Sequence, residues 1–416
     1  MRAALGKLIP ANPATRRFAA VTLVDSIGSG MSLTASVLFL TRLAGLTSGQ
    51  IGIGLSVSAG VALLLSVPVA VAAERLGIVR ALVLLQVWRG GWFLAYLAVG
   101  SFPAYLVVCC MLGLALRVVS PLTQSVVAAS TTESARVTTM ALLRSVQNAG
   151  FGLGALAGTL VIGVGSKIGL AGLIVLNAVS FFVAAALLRG LPLRATPVAR
   201  VRRVAGWRQL RSLRDGRYLL LTALNGALVL HMTLLTVGLP LWIVEHTEAP
   251  PSVIGLCLLA NTVLVVLLQV RASRGCDDLP VAAGRLRRAG AALAAFCVLL
   301  ALSSQLTAGP AVVAVLLAAI ALTLGELWHS AGAWGISFEL APPDRRTEYL
   351  AVFNLGTIVQ GIVGPTLVTA LVLPHGGWGW LLLGTALLLV AVTVPAVVRR
   401  ATPPLDARRP AEVLVE

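Results

Sequence analysis

Charge is scarce in this sequence: 11% of the 416 residues are Asp, Glu, Lys or Arg, 58% are hydrophobic, and mean hydropathy is +0.95. Ordinary soluble domains are roughly 45–50% apolar, so water is excluded as the solvent for most of this surface. Lysine is nearly absent, with Lys7 and Lys167 the only two among 32 basic residues. Cysteine is limited to Cys109, Cys110, Cys257, Cys276 and Cys297, without C-x-x-C spacing and with four in apolar runs, which argues against structural disulfides and a zinc site. No G-x-x-x-x-G-K-[ST] stretch exists to cradle the phosphates of ATP, so the chain carries no motor of its own. Nor does the start read as a cleavable signal, because the first apolar run follows Arg16 and Arg17 and is too long and glycine-rich for a signal h-region.

What the sequence has instead is a series of hydrocarbon-length runs. They fall near residues 18–41, 50–72, 79–100, 103–128, 140–164 and 168–189, and again near 218–243, 251–270, 285–303, 310–333, 349–373 and 378–397. About 20 apolar residues cross a hydrocarbon core of roughly 30 Å, so an all-α membrane protein with twelve transmembrane helices is expected.

The basic residues test that count independently, because short cytoplasmic loops carry an excess of Lys and Arg. With the N-terminus inside, 28 of the 32 fall on the cytoplasmic side, including Arg136 and Arg144 after the fourth run. Arg42 and Lys167 fall outside, and Arg89 and Arg117 within spans. Both termini are therefore expected in the cytoplasm, and the net charge of +17 is accounted for without nucleic acid. The division expected is an N-terminal six-helix bundle over 1–189, a basic cytoplasmic linker over 190–217, a C-terminal six-helix bundle over 218–400 and a cytoplasmic tail over 401–416. In the linker Val201, Val204, Trp207, Leu210 and Leu213 recur every three residues among arginines, which suggests an amphipathic helix on the inner leaflet.

An internal repeat relates the halves. Setting Asn148 on Asn354 aligns Gly150 with Gly356 and Gly158 with Gly364, and places Glu133 on Glu339. Duplication of a six-span unit produces such pairs, although small residues at close helix crossings also recur for packing reasons alone.

Two six-span halves around a long basic connector resemble the major facilitator superfamily. After the second span that family has G-x-x-x-D-R-x-G-[RK]-[RK]; here Ala70, Glu74, Arg75, Gly77 and Arg80 occupy the pattern, with Ile78 and Val79 in its usual basic positions. In the fourth span Arg117, Ser120, Pro121 and Thr123 stand where proton-coupled members carry an arginine followed by polar and small residues. In the fifth, Gly150, Gly154, Ala155, Gly158 and Thr159 partly match an exporter motif, and Gly364 with Pro365 restores the glycine–proline pair in the second half. The resemblance implies a secondary transporter, possessing no enzymatic activity and no cofactor, in the inner or plasma membrane and monomeric. It points toward the drug/proton antiporter branch, a gating role for Glu74, Arg75, Gly77 and Arg80, and a helix-packing role for the glycines and Pro365. Its partners would be a small-molecule substrate, protons and the lipid bilayer.

The charged residues inside spans mark the candidate pathway, since each costs on the order of 2.5–3.5 kcal/mol unless paired or hydrated. Asp25 lies roughly 10 Å into its helix and Arg117 near mid-membrane, so an Asp25–Arg117 pair is expected across neighbouring spans. Either it lines the path or it only holds two helices together. Glu326 is the expected proton-coupling carboxyl, or else an inter-helix tether. His329, three residues on, shares its face but lacks the second Glu-x-x-His set of a di-metal site, so no metal is expected. Asn225 and His231 are further candidate lining residues, whereas Arg89 beside Trp88 is read as snorkelling or stacking. Proton-coupled efflux of a small amphipathic compound is the leading expectation. Uptake by the same fold is the alternative, and a polytopic membrane enzyme is disfavoured by short outer loops poor in catalytic groups.

Overall fold

The computed structural model describes residues 13–163, 167–189 and 210–401, and every regular element among them is helical. Hydrocarbon offers backbone amides no water, so segments of this length must satisfy their N–H and C=O groups within the helix. In the first half α1 spans Pro13–Arg42, α2 Ser48–Arg75, α3 Ile78–Ala95, α4 Phe102–Ser130, α5 Arg136–Gly163 and α6 Lys167–Arg189. In the second, α7 is Gly216–Leu228, α8 Val253–Ala272, α9 Leu279–Ser303, α10 Ala308–Glu339, α11 Arg346–Thr366 and α12 Gly376–Ala401.

Nine stretches among the described residues are long and apolar enough to cross a membrane. One of them, Pro343–Arg400, has 58 residues, about 87 Å if it were a single helix and far more than one crossing needs. It reverses at Leu373–His375, where Gly376 adopts φ 57°, a left-handed conformation that a side chain would strain.

Two helices are interrupted. After α7 the chain passes through His231–Thr233 and a π turn, Leu234–Gly238, into Leu239–His246; after α11 comes a second π turn, Leu367–Val372. Prolines flank both turns, Pro240 beyond the first and Pro365 before the second. Each lacks the N–H of a regular ladder, and wider i→i+5 pairing absorbs the mismatch.

Helix packing repeats with a period of six elements. In the first half α1 packs on α5 and α6, α2 on α4, and α3 on α4 and α6; in the second α7 packs on α11 and α12, α8 on α10, and α9 on α10 and α12. Contacts between halves follow the same rule: α5 meets α8 and α10, while α11 meets α2 and α4. This is the contact pattern of two like units related by a two-fold operation, as the Asn148/Asn354 alignment anticipates.

The aligned glycines lie at backbone crossings. A side chain on Gly154 would run into the carbonyl oxygen of Ile27, one on Gly158 would come within 2.8 Å of the carbonyl oxygen of Met31, and Gly150 lies against Ser26. Gly356 occupies the equivalent place against Thr222 and Gly226, and Gly364 against Thr233 and Gln360. Close backbone approach through small residues is the usual route to tight packing where lipid removes the hydrophobic drive between helices.

Polarity is distributed as lipid demands. Leu64, Leu156, Leu267 and Leu389 are exposed, whereas Asn177, Gln269, His231, Glu326 and His329 are buried. Of the apolar linker positions, Val201, Val204 and Trp207 lie outside the described residues; Leu210 is buried, and Leu213 sits in the short turn Ser212–Arg214 ahead of α7.

Candidate functional site

Four of the residues singled out from the sequence meet in one buried network. Glu326, on α10, accepts from Arg144 Nη2 of α5 at 2.8 Å and from Asn261 Nδ2 of α8 at 2.8 Å. Asn261 also reaches Thr323 Oγ1 at 3.1 Å, one turn before Glu326. A turn after it, His329 places Nδ1 3.1 Å from His231 Nε2 and Nε2 3.0 Å from Asn225 Oδ1, both on the α7 stretch. With Oδ1 of Asn225 as acceptor, a neutral His329 donates from Nε2. Its Nδ1 then accepts from His231 Nε2–H, and His231 Nδ1 keeps a free lone pair. The chain has placed a carboxylate, its counter-ion and two imidazoles within one turn of a membrane-length helix, with arms from both halves.

Arg144 corrects its assignment to a loop. It lies inside α5, eight residues past the first, and turns inward to an acidic partner on the other half. Its Nε is buried without a hydrogen-bond partner, which is the cost of holding the guanidinium at this depth.

The expected Asp25–Arg117 pair is not formed. Asp25 instead receives Arg89 through both terminal nitrogens, Nη1 at 2.7 Å and Nη2 at 3.1 Å, and Gln86 Nε2 at 2.8 Å. Arg89 also donates to Gln86 Oε1 at 2.7 Å and lies 4.0 Å above the ring of Phe181. It therefore does not snorkel, and the aromatic it stacks on belongs to α6 and not to the adjacent Trp88. The forked geometry matches a carboxylate's two oxygens, which makes this pair a lock among α1, α3 and α6.

Arg117 is half-buried on α4 and faces α11: a side chain on Gly361 would lie 3.6 Å from its Nη2, and Asn354 Nδ2 reaches its carbonyl oxygen at 3.5 Å. Its guanidinium makes no hydrogen bond or ion pair among the described residues.

A second set of contacts joins the halves on the side carrying the α4–α5 and α10–α11 turns. Ser125 Oγ and Thr347 Oγ1 are 2.9 Å apart and buried, Ser337 Oγ donates to Gln124 Oε1 at 3.4 Å, and Val137 N–H at the start of α5 donates to Asp277 Oδ1 at 3.3 Å. Burial pushes the Asp277 carboxyl above its ordinary value of 3.8, against the lowering effect of that backbone bond. Glu348 ties the connector to α11 by accepting from the backbone N–H and the hydroxyl of Ser212, at 2.9 and 2.8 Å.

Of the gating-loop residues, Glu74 lies in the last turn of α2 facing Thr347 and Glu348, Gly77 turns the chain into α3 at φ 86°, and Arg80 is exposed. Arg75 is the last residue of α2. Thus Glu74 stands at the start of α11 as Asp277 stands at the start of α5. Gly364 and Pro365 lie at the end of α11 directly before its π turn. Among the described residues no group of three or more His, Cys, Asp or Glu side chains is arranged to hold a metal ion.

Comparison with known proteins adds three findings. A family model described as Major Facilitator Superfamily matches residues 18–325. No curated protein sequence matches the chain significantly. Solved structures do. A bacterial homologue of the iron transporter ferroportin in its outward-facing state superimposes with TM-score 0.71 at 16% identity, over 93% of this chain and 99% of that one. The human organic anion transporter MFSD10 (TETRAN) gives 0.65 at 15% identity over 93% and 100%. The Escherichia coli fucose:proton symporter FucP gives 0.63 at 12% identity over 94% and 98%.

Proposed function

Because the chain belongs to the major facilitator superfamily, a family of non-enzymatic secondary transporters in multi-pass membrane form, we propose that it exports a small amphipathic compound in exchange for protons. The observation that carries this reading is the Glu326 network. A carboxyl in a membrane interior, held by a cation from the opposite half and adjoining two hydrogen-bonded imidazoles, can be protonated only by giving up part of that bond set.

In this reading the two bundles, 1–189 and 218–400, rock about the seams where α5 meets α8 and α2 meets α11. Twelve crossings place both termini and the connector in the cytoplasm of a cell that keeps the protein in its inner or plasma membrane. The side bearing Ser125–Thr347 and Val137–Asp277 is then cytoplasmic, and those bonds close it. A proton arriving from outside neutralises Glu326, releases Arg144 and weakens the hold between α5 and α10, which favours opening inward. Export in place of uptake is supported by the glycine-rich α5, whose Gly150, Gly154 and Gly158 lie on the backbone of α1. Assignment to the drug/proton antiporter branch rests on the same helix and on Arg117 with Ser120, Pro121 and Thr123.

The test is flux in proteoliposomes holding the full chain, driven by a pH gradient, with three related probes: ethidium, naphthalene-2-carboxylate and naphthalene-2-carboxamide. At least one is expected to move against its gradient, and Glu326→Gln is expected to abolish that movement while downhill exchange persists. Gradient-driven flux in Glu326→Gln equal to that of the unaltered chain overturns the proton-coupling reading.

A further inference from the structure

Three arginines lie deep in the helices, and they are not equivalent. Arg89 is neutralised by Asp25 and Arg144 by Glu326. Arg117 has neither a carboxylate nor a hydrogen-bond partner for its guanidinium among the described residues, although it sits near the middle of the 29-residue α4. An intramembrane arginine persists in that condition only where it reaches a hydrated cavity or meets a partner that is not part of the chain.

The surroundings of Arg117 suit a visiting anion. It points to the seam with α11, at the level of Gly361, where the missing side chain leaves space beside Nη2. Asn354, two turns earlier on α11, is within reach of the Arg117 backbone and offers an amide of the kind that complements a carboxylate. Within the described network the two ion pairs cancel, so Arg117 leaves the centre of the molecule with one uncompensated positive charge. A guanidinium presents two parallel N–H groups matched to planar or tetrahedral oxyanions.

The geometry points to an organic anion as the transported compound, with its carboxylate, sulfonate or phosphonate docked on Arg117 in the seam between α4 and α11. This rests on the transporter reading but not on the role given to Glu326: Arg117 selects the charge of the cargo, and Glu326 handles the proton.

The experiment is a thermal-shift titration of the purified full chain at fixed pH with no gradient. The probes are naphthalene-2-carboxylate, -sulfonate and -phosphonate, the neutral naphthalene-2-carboxamide, and 2-naphthylmethylammonium. At least one of the anions is expected to raise Tm saturably, while the amide and the ammonium do not. Arg117→Gln is expected to weaken anion binding about tenfold to a hundredfold, the worth of one charge-assisted contact, and Arg117→Lys to retain part of it. Gly361→Asp leaves Arg117 in place but supplies an internal carboxylate beside it, and is expected to abolish the shift even where Arg117→Gln folds poorly. Equal anion binding by Gly361→Asp and the unaltered chain, a preference for the ammonium, or no saturable shift with any anion overturns the assignment. Because binding is read without a gradient, these results stand apart from the outcome for Glu326→Gln.

Discussion

Arg144 of α5 donates to Glu326 of α10 at 2.8 Å, so one ion pair ties together helices 182 residues apart in the chain. Glu326 is almost fully enclosed and Arg144 mostly so, with side-chain exposures of 6% and 26%. Removing one member of such a pair leaves the other desolvated and alone. Arg144→Gln is expected to destabilise the folded chain by about 3 kcal/mol. The double variant with Glu326→Gln should lose less than the sum of the two single losses, because the buried carboxylate is then absent. Thermal unfolding of the four proteins in detergent measures the coupling; strict additivity would show that the pair contributes nothing specific.

The glycine crossings predict a sharp positional contrast. Gly154→Val directs a branched side chain into the backbone of α1 at Ile27, where neither helix has a side chain to move aside. Failure to fold or a loss of more than about 3 kcal/mol is expected from overpacking. Gly284 of α9 has nothing within 4 Å of its would-be side chain, so Gly284→Ala should be neutral or stabilise by up to about 1 kcal/mol through helix propensity. Comparable Tm values for the two variants would contradict the described crossing.

Asp277 supplies the pH prediction. Its carboxyl is raised above 3.8, first by burial, so the folded state binds the proton more tightly than the unfolded chain does. The folded state is accordingly favoured most below the ordinary value, and that contribution is lost as pH rises through the raised one. Asp277→Asn keeps an oxygen acceptor for Val137 N–H and cannot ionise. It should flatten the fall of Tm with rising pH just above the ordinary carboxyl range and leave the variant more stable there. An unchanged pH profile would remove Asp277 from the account.

Sidedness can be read with a thiol reagent. All five natural cysteines are free and buried, so the background is low. With both termini inside, Trp207→Cys in the connector should resist a membrane-impermeant maleimide in intact cells, whereas Glu248→Cys, on an exposed turn, should react. Labelling at 207 from outside would invert the assigned topology.

Much of this arrangement was legible in the residues. Glu326, His329, Asn225 and His231 stood out as polar groups in apolar runs, and the structure brings those four together because hydrocarbon leaves them nothing else to bond. Their partners were harder to see. The excess of arginine expected on the cytoplasmic side places Arg144 with the loop after the fourth run, yet α5 begins at Arg136 and carries it two turns inside. The available signal was the unmatched acid: Glu326 needed a cation, and Arg144 was deep enough to supply it. Asp25 has two candidate cations in the sequence, Arg89 and Arg117, and nothing in local spacing shows that Arg89, which adjoins Trp88, is the one that reaches it. Pairing between distant helices leaves no trace in local periodicity, and neither do the π turns of the seventh and eleventh segments, which follow from how prolines are accommodated.

The glycine crossings also bear on how the molecule can move. Where Gly154 and Gly158 sit on the carbonyls of Ile27 and Met31, and Gly356 on Thr222 and Gly226, no rotamer stands between the helices to take up slack. α1 with α5, and α7 with α11, must therefore travel as stiff beams, and strain cannot be shared within either couple. Sliding is left to seams such as Gly152 against Thr262, where an added side chain meets only a methyl group at 3.7 Å, so a crosslink between positions 152 and 262 should arrest turnover.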